Sequence, residues 1–151
     1  RSDKTGKLTA ISTASEYSGG CFIVNNNGTL MDSGSGLMWA ERDNGTYISW
    51  FTAKSYCENY RGGGYTDWRM PTSDELAGLR AAAKTYQSGC GYKGYNYIHR
   101  TDSWVWASET RGLESDYINF KAAYFHFHLG LGGWLPPSAS RPNAVPVRSG
   151  K

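Results

Sequence analysis

The chain has 151 residues, which is the length of one domain, and it can bury a sizeable core without a metal or a disulfide scaffold. Its 19 Gly, 11 Tyr and 6 Trp exclude a disordered chain and are typical of a loop-rich fold with an aromatic core. The net charge of +3 is too small to indicate nucleic-acid binding, and no run of residues is apolar enough to be embedded in a membrane.

The N-terminal part predicts a polar lead-in followed by short strands. Residues 1–19 are rich in Ser, Thr, Gly and Lys and are interpreted as a linker or stalk end, so that residues 20–151 form a single domain. Cys21–Val24 is a short apolar run, and the Asn-Gly pair at Gly28 predicts a hairpin turn that leads into a return strand at Thr29–Asp32.

Two helices are predicted in the middle of the chain. Over Ser49–Tyr60 the apolar residues recur at helical spacing, and the glycines at 62–64 end the helix. A second helix begins after Thr72, where Glu75 three residues later completes a capping box, and extends to Ala83 or Thr85.

The second half of the chain is mainly strand and loop. Ser103–Ser108 alternates like a strand, while Tyr117–Phe120 and Ala123–His128 predict either a hairpin or one bent strand. The glycine-rich Gly130–Pro137 run is interpreted as a loop with an exposed Trp134, and Ala144–Arg148 as a last strand. The order predicts an α+β fold, with two helices packed beside a mainly antiparallel twisted sheet and a long irregular loop region.

The three cysteines allow one disulfide and one remaining thiol. The favoured pair is Cys57 with Cys90, because Cys90 lies in a Gly-flanked loop that could reach the first helix. A Cys21–Cys57 pair, or no bridge, remains an alternative. The spacing does not suit a zinc site, which needs close pairs of ligands.

Three segments together resemble a bacterial family. They are Asn27–Trp39, Ser49–Asn59 and Gly63–Leu76, and the most specific part is the run Asp-Trp-Arg-Met-Pro-Thr at residues 67–72. These segments are similar to the C-terminal domain of the Legionella collagen-like protein. The resemblance covers roughly residues 20–110 and is weak beyond residue 120.

The resemblance implies a C-type-lectin-like fold and an extracellular or bacterial cell-surface location, in which the domain is secreted or attached to a stalk, pilus or fibre. The founding member binds sulfated glycosaminoglycans and is trimeric, but ligand residues do not transfer, because fold does not fix function. The shared motif is interpreted as structural. Its residues are Trp39, Trp50, Trp68, Arg69, Pro71 and Glu75, with Arg69 able to pair with Asp32 or Glu75.

No sequence pattern indicates catalysis or a cofactor. Nucleophile elbows, phosphate loops and paired carboxylates are missing from the sequence, so we expect a non-enzymatic domain. A metal site at His126 and His128 would need a third ligand, and the only other histidine is the distant His99. The Arg-Pro-Asn run at Arg141 does not suit calcium, since Arg cannot ligate a cation.

The sequence therefore favours an adhesin-type binding domain that recognises an anionic polysaccharide or another host or bacterial surface glycan through its loop face. Residues 76–101 and 117–151 contain bases and no acids, and exposed Trp and Tyr can stack on sugars. The alternatives are a pilus or fibre tip domain that binds protein or lipopolysaccharide, and a homotrimerisation module without a ligand. The candidate ligand-binding residues are Lys93, Tyr95, Arg100, Arg111, Lys121, Tyr124, His126, His128, Trp134 and Arg141.

Overall fold

A computed structural model describes residues 20–85, 98 and 103–150 of the chain. Within these ranges the protein has two antiparallel sheets and two helices, which confirms the predicted α+β fold. No helix in the described ranges has the length and apolar character needed to cross a membrane. The elements are β1 (Phe22–Val24), β2 (Thr29–Asp32), β3 (Leu37–Ala40), α1 (Trp50–Asn59), a 3₁₀ turn (Gly62–Gly64), α2 (Ser73–Thr85), β4 (Trp104–Arg111), β5 (Lys121–His126), β6 (Leu131–Leu135) and β7 (Val147–Ser149).

The first sheet has the order β1-β2-β3-β7 and begins with the predicted hairpin. Its turn places Asn26 and Gly28 at positive φ, a conformation that these residue types tolerate. The last strand returns from the far end of the chain to pair with β3, so that Trp39 lies opposite Val147. The first sheet is therefore completed by a strand from the C-terminal part of the chain.

The second sheet has the order β4-β5-β6, and two sequence predictions about it are wrong. Tyr117–Phe120 is a turn rather than a strand, because the Asp116 carboxylate accepts hydrogen bonds from nearby backbone N–H groups. Gly130–Pro137 is mostly strand β6 rather than loop, because pairing with β5 along its length outweighs the poor strand propensity of glycine.

Both helices begin close to the predicted positions, and the capping box of α2 is confirmed. The Glu75 backbone N–H donates to Thr72 Oγ1 at 3.1 Å, and the Thr72 N–H donates to Glu75 Oε1 at 2.9 Å. A second carboxylate comes from β4, where Glu109 accepts hydrogen bonds from the Ser73 N–H and hydroxyl. Two acids therefore stabilise the positive end of α2.

The core lies on both faces of the second sheet. One face packs on α2 and on the first sheet, through residues that include Val105, Phe125 and Trp39. The opposite face packs on α1 through Trp106 and Ala122. Because successive residues of a strand point to opposite faces, β4 and β5 fill two core clusters at once.

The three tryptophans of the family motif are all buried, with exposed fractions of 5% or less. The Trp50 indole donates to the Ala107 carbonyl at 2.8 Å, and the Trp68 indole donates to the Gly62 carbonyl at 3.1 Å. The Trp39 indole N–H has no hydrogen-bond partner among the described residues. Trp39 therefore contributes through packing, whereas Trp50 and Trp68 also tie a helix or turn to its neighbour.

The segment Asp67–Pro71 is held on several sides. The backbone of Arg69 exchanges two hydrogen bonds with Val147, and its guanidinium makes a bidentate pair with Glu75 at 2.8 and 2.7 Å. Asp67 binds the Arg148 guanidinium, which also lies over the Tyr65 ring at 3.8 Å. Of the two partners predicted for Arg69, the structure selects Glu75.

The predicted Cys57–Cys90 disulfide is wrong. Cys57 is a free cysteine with a fully buried side chain on the inner face of α1, and Cys21 is disulfide-bonded. Cys90 lies outside the described residues. Burial raises the pKa of the Cys57 thiol to about 12, because a thiolate would lose its hydration there.

We expect the Cys57 thiol to resist alkylation in the native protein. At about pH 8 the raised pKa leaves almost no thiolate, and burial blocks the reagent. Iodoacetamide should therefore label Cys57 only after denaturation, as read by peptide mass spectrometry, and Cys57→Ser should lose that peptide adduct. Labelling of the native protein at the rate of the denatured chain would contradict the burial of this thiol.

Glu75→Gln should destabilise the protein by roughly 1–2 kcal/mol, since it removes the ion pair with Arg69 and weakens the capping box. Glu58→Gln is the matched control, because the Lys54–Glu58 pair is half exposed and its loss should cost less than about 0.5 kcal/mol. Urea unfolding at neutral pH measures both effects. Equal losses for the two variants would contradict the role given to Glu75.

The same pair predicts a pH dependence. The Arg69 guanidinium lowers the pKa of Glu75 below its ordinary value of 4.5. A group with a lowered pKa in the folded state contributes stability that is present above the unfolded pKa and is lost as the pH falls through the folded one. Below about pH 4.5 the wild type should therefore lose stability more steeply than Glu75→Gln.

Candidate functional site

An aromatic surface lies at one end of the second sheet, and a cation stacks on it. The Trp104 ring stacks on Tyr124 with centroids 4.7 Å apart, and it meets the edge of His126 at 5.2 Å. The Arg141 guanidinium lies 5.0 Å from the centre of the Trp104 ring. We call these four residues the Trp104 platform.

Strand pairing brings the platform together. Trp104 lies directly opposite His126, and Tyr124 is two residues back along β5, on the same face of the sheet. Farther along this face, Trp106 and Ala122 are covered by α1, whereas Arg141 is exposed and Trp104, Tyr124 and His126 are half-buried. The platform is therefore the uncovered end of a face whose centre belongs to the core.

Glycine on β6 makes room for the tyrosine. Gly133 pairs with Tyr124, and a Cβ at Gly133 would lie only 2.7–2.9 Å from atoms of the Tyr124 ring. The Tyr124 phenol therefore occupies the space that a side chain at residue 133 would fill, and it stacks on Trp104. The exposed Leu131, which is paired with His126, forms the outer rim of the same face.

A second cluster lies on the opposite face of the sheet. Arg111 pairs with Lys121 next to the loop that joins β4 and β5. The Arg111 guanidinium lies 4.8 Å from the centre of the Trp134 ring. Trp134 is 40% exposed and is paired with Ala123, whose side chain points to the α2 face. We call Arg111, Lys121 and Trp134 the Arg111 cluster.

The structure thus divides the predicted ligand-binding residues into two groups. Tyr124, His126 and Arg141 belong to the Trp104 platform, with the exposed His128 beside His126 at a ring distance of 6.3 Å. The other described candidates form the Arg111 cluster. Lys93, Tyr95 and Arg100 lie outside the described residues.

The imidazoles of His126 and His128 lie near each other, but not in a metal-binding arrangement among the described residues. No group of three or more His, Cys, Asp or Glu side chains suited to a metal occurs in that part of the chain. His126 Nδ1 accepts a hydrogen bond from the Leu129 N–H at 3.2 Å, which leaves Nε2 as the nitrogen directed away from this turn. Its ring lies at the edge of the aromatic surface, against Trp104.

Sequence reasoning missed Trp104, the residue at the centre of the platform. The alternation in Ser103–Ser108 indicated a strand, but it did not show which tryptophan would be covered. Trp106 is fully buried and its indole donates to the Ile48 carbonyl, whereas Trp104 is half-buried beyond the reach of α1. Trp104 is the first residue of β4, but no local sequence signal shows where cover by α1 ends.

The chain is an α+β domain with a buried core rich in aromatic residues. Aromatic side chains and an arginine lie together at one end of its second sheet. A family model described as the Lcl C-terminal domain matches residues 28–148. The chain belongs to this family, which confirms the resemblance seen in the sequence. No curated protein matched the chain.

We expect Gly133→Ala to disturb the platform with little effect on the core. The new methyl group would collide with the Tyr124 ring and move it off Trp104, which changes the tryptophan fluorescence. Gly132→Ala is the control on the same strand, because its methyl group would meet the Tyr124 carbonyl oxygen at 3.2 Å rather than the ring. Identical spectra for Gly133→Ala and the wild type would contradict this placement of the ring.

Proposed function

We propose that this protein is a non-catalytic, extracellular or cell-surface binding domain that recognises an anionic glycan through the Trp104 platform. The observation that carries the proposal is the stack of Arg141, Trp104 and Tyr124, with centroid distances of 5.0 and 4.7 Å. A guanidinium binds sulfate or carboxylate with directed hydrogen bonds, and the exposed edges of the rings beside it provide an apolar contact for a sugar ring. The two features together suit an acidic sugar.

Preorganisation supports the same conclusion. Tyr124 and Trp104 are held by strand pairing and by contact with each other, so little side-chain freedom remains to be lost on binding. The indole face of Trp104 orients the Arg141 guanidinium. The family membership supports a binding role as well, although the ligand is not fixed by the fold.

Heparin provides the anionic probe, and Trp104→Leu provides the sharpest test. The substitution leaves the net charge unchanged, so a lower salt concentration for elution from heparin would report lost stacking rather than lost electrostatics. We expect roughly 3–10-fold weaker binding for Trp104→Leu and for Arg141→Gln. Tyr124→Leu gives a second route to the same loss of stacking.

Two controls match these variants. Trp134→Leu removes a tryptophan on the opposite face, and Arg61→Gln removes an exposed arginine near the end of α1. Once thermal unfolding has shown that all variants are folded, Trp134→Leu should keep the wild-type retention, and Arg61→Gln should lose less retention than Arg141→Gln. Unchanged retention for Trp104→Leu and Tyr124→Leu would contradict the proposal. A stable trimer in light scattering, with no retention on heparin, would favour the trimerisation alternative.

A further inference from the structure

The loop between β4 and β5 carries three of the most exposed large apolar side chains among the described residues. The exposed fractions are 73% for Leu113, 88% for Tyr117 and 82% for Ile118. Single exposed apolar residues are ordinary on a protein surface, but three within one short loop form a patch of the kind that marks an interaction site. We call residues 112–119 the apolar loop.

The backbone of the apolar loop is firmly held. The Asp116 carboxylate accepts hydrogen bonds from the Ile118 N–H, the Asn119 N–H and the Asn119 side-chain amide, at 3.2, 3.2 and 2.8 Å. The Asp116 N–H donates to the Leu113 carbonyl at 2.9 Å, and Lys121 Nζ donates to the Ile118 carbonyl at 2.7 Å. The polar groups are thus engaged within the loop, while the apolar side chains project outward.

Cations and an aromatic ring lie at the base of this loop. Arg111 and Lys121 are directly paired across the hairpin that the loop closes, and Arg111 lies on the exposed Trp134 ring. The loop also carries two carboxylates, Glu114, which is exposed, and Asp116, whose negative charge the accepted hydrogen bonds leave in place. An apolar tip above basic and aromatic residues is the arrangement of segments that sit at a membrane–water interface.

The small size of the patch favours a lipid bilayer over a second protein as its partner. A stable protein interface of standard size takes roughly 20–30 residues a side, and three side chains fall far short of it. Insertion into a lipid surface needs no matching pocket, and its strength scales with the apolar area buried plus the attraction of nearby cations to anionic lipids. The protruding side chains and the cations behind them therefore suit a bilayer better than a second protein.

We propose that the apolar loop is a membrane-anchoring tip that inserts Leu113, Tyr117 and Ile118 into the headgroup region of a lipid bilayer, with Arg111 and Lys121 at the level of the phosphates. The proposed binding is peripheral, since it inserts one short loop. Because neither Trp104 nor Arg141 takes part, the inference does not rest on the proposed glycan site.

Vesicle flotation tests this inference with two lipid compositions, phosphatidylcholine alone and phosphatidylcholine with about one quarter phosphatidylglycerol. The wild type should float with the vesicles, more strongly with the anionic ones. The double variant Tyr117→Ser/Ile118→Ser should bind at least about tenfold more weakly to both, because it removes the inserted side chains. Glu114→Gln should strengthen binding to the anionic vesicles, because it removes the exposed acid.

The matched control is Ile23→Ser/Tyr47→Ser, which removes an exposed isoleucine and an exposed tyrosine elsewhere and should bind like the wild type. Tyr117→Trp adds a reporter at a nearly fully exposed position, and its fluorescence should shift to the blue with vesicles. Three outcomes would overturn the proposal. They are wild-type protein that stays in solution with both compositions, equal binding by the two double variants, and an oligomer that the tip variant dissociates.

Discussion

The contacts of the segment Asp67–Pro71 are the constraint on which the rest of this domain depends. Its backbone pairs with Val147, which attaches it to the first sheet, while the Pro71 carbonyl accepts a hydrogen bond from the Ser108 N–H of the second sheet. The side chain of Arg69 holds the capping carboxylate of α2, and the Trp68 indole holds the turn after α1. One short run of residues therefore fixes both sheets and the neighbouring ends of both helices.

That constraint determines which surfaces the second sheet leaves uncovered. α1 and α2 pack on opposite faces of β4 and β5, so the middle of the sheet is closed on both sides. The ends of the strands extend past the helices and carry the Trp104 platform on one face and the Arg111 cluster on the other. The exposed aromatic residues thus lie on the same strands, and on the same faces of the sheet, as residues of the core. Their positions are set by the same strand register that packs the interior.

Sequence reasoning succeeded where the signal was local and failed where distant segments meet. The capping box at Thr72, the Asn-Gly hairpin and the two helices depend on residues a few positions apart, and all were predicted. Strand β6 was missed because Gly132 and Gly133 argue against a strand until β5 supplies a partner and Tyr124 supplies a ring to cover the glycine. The Glu109 contact to α2 spans 36 residues and has no sequence signature. Trp104 could not be told from Trp106 without knowing where α1 ends on the sheet.

The arginines show how the domain separates stability from recognition. Arg69 and Arg148 make hydrogen bonds to Glu75 and Asp67, so their charges are balanced within the scaffold. Arg111 instead lies over the Trp134 ring, which orients its guanidinium without neutralising it, and Arg141 lies over the Trp104 ring. A carboxylate partner would give more stability, but it would also compete with an incoming anion for the same N–H donors. The aromatic partner of Arg111 therefore keeps a positive charge at the base of the apolar loop, where the proposed lipid contact needs it.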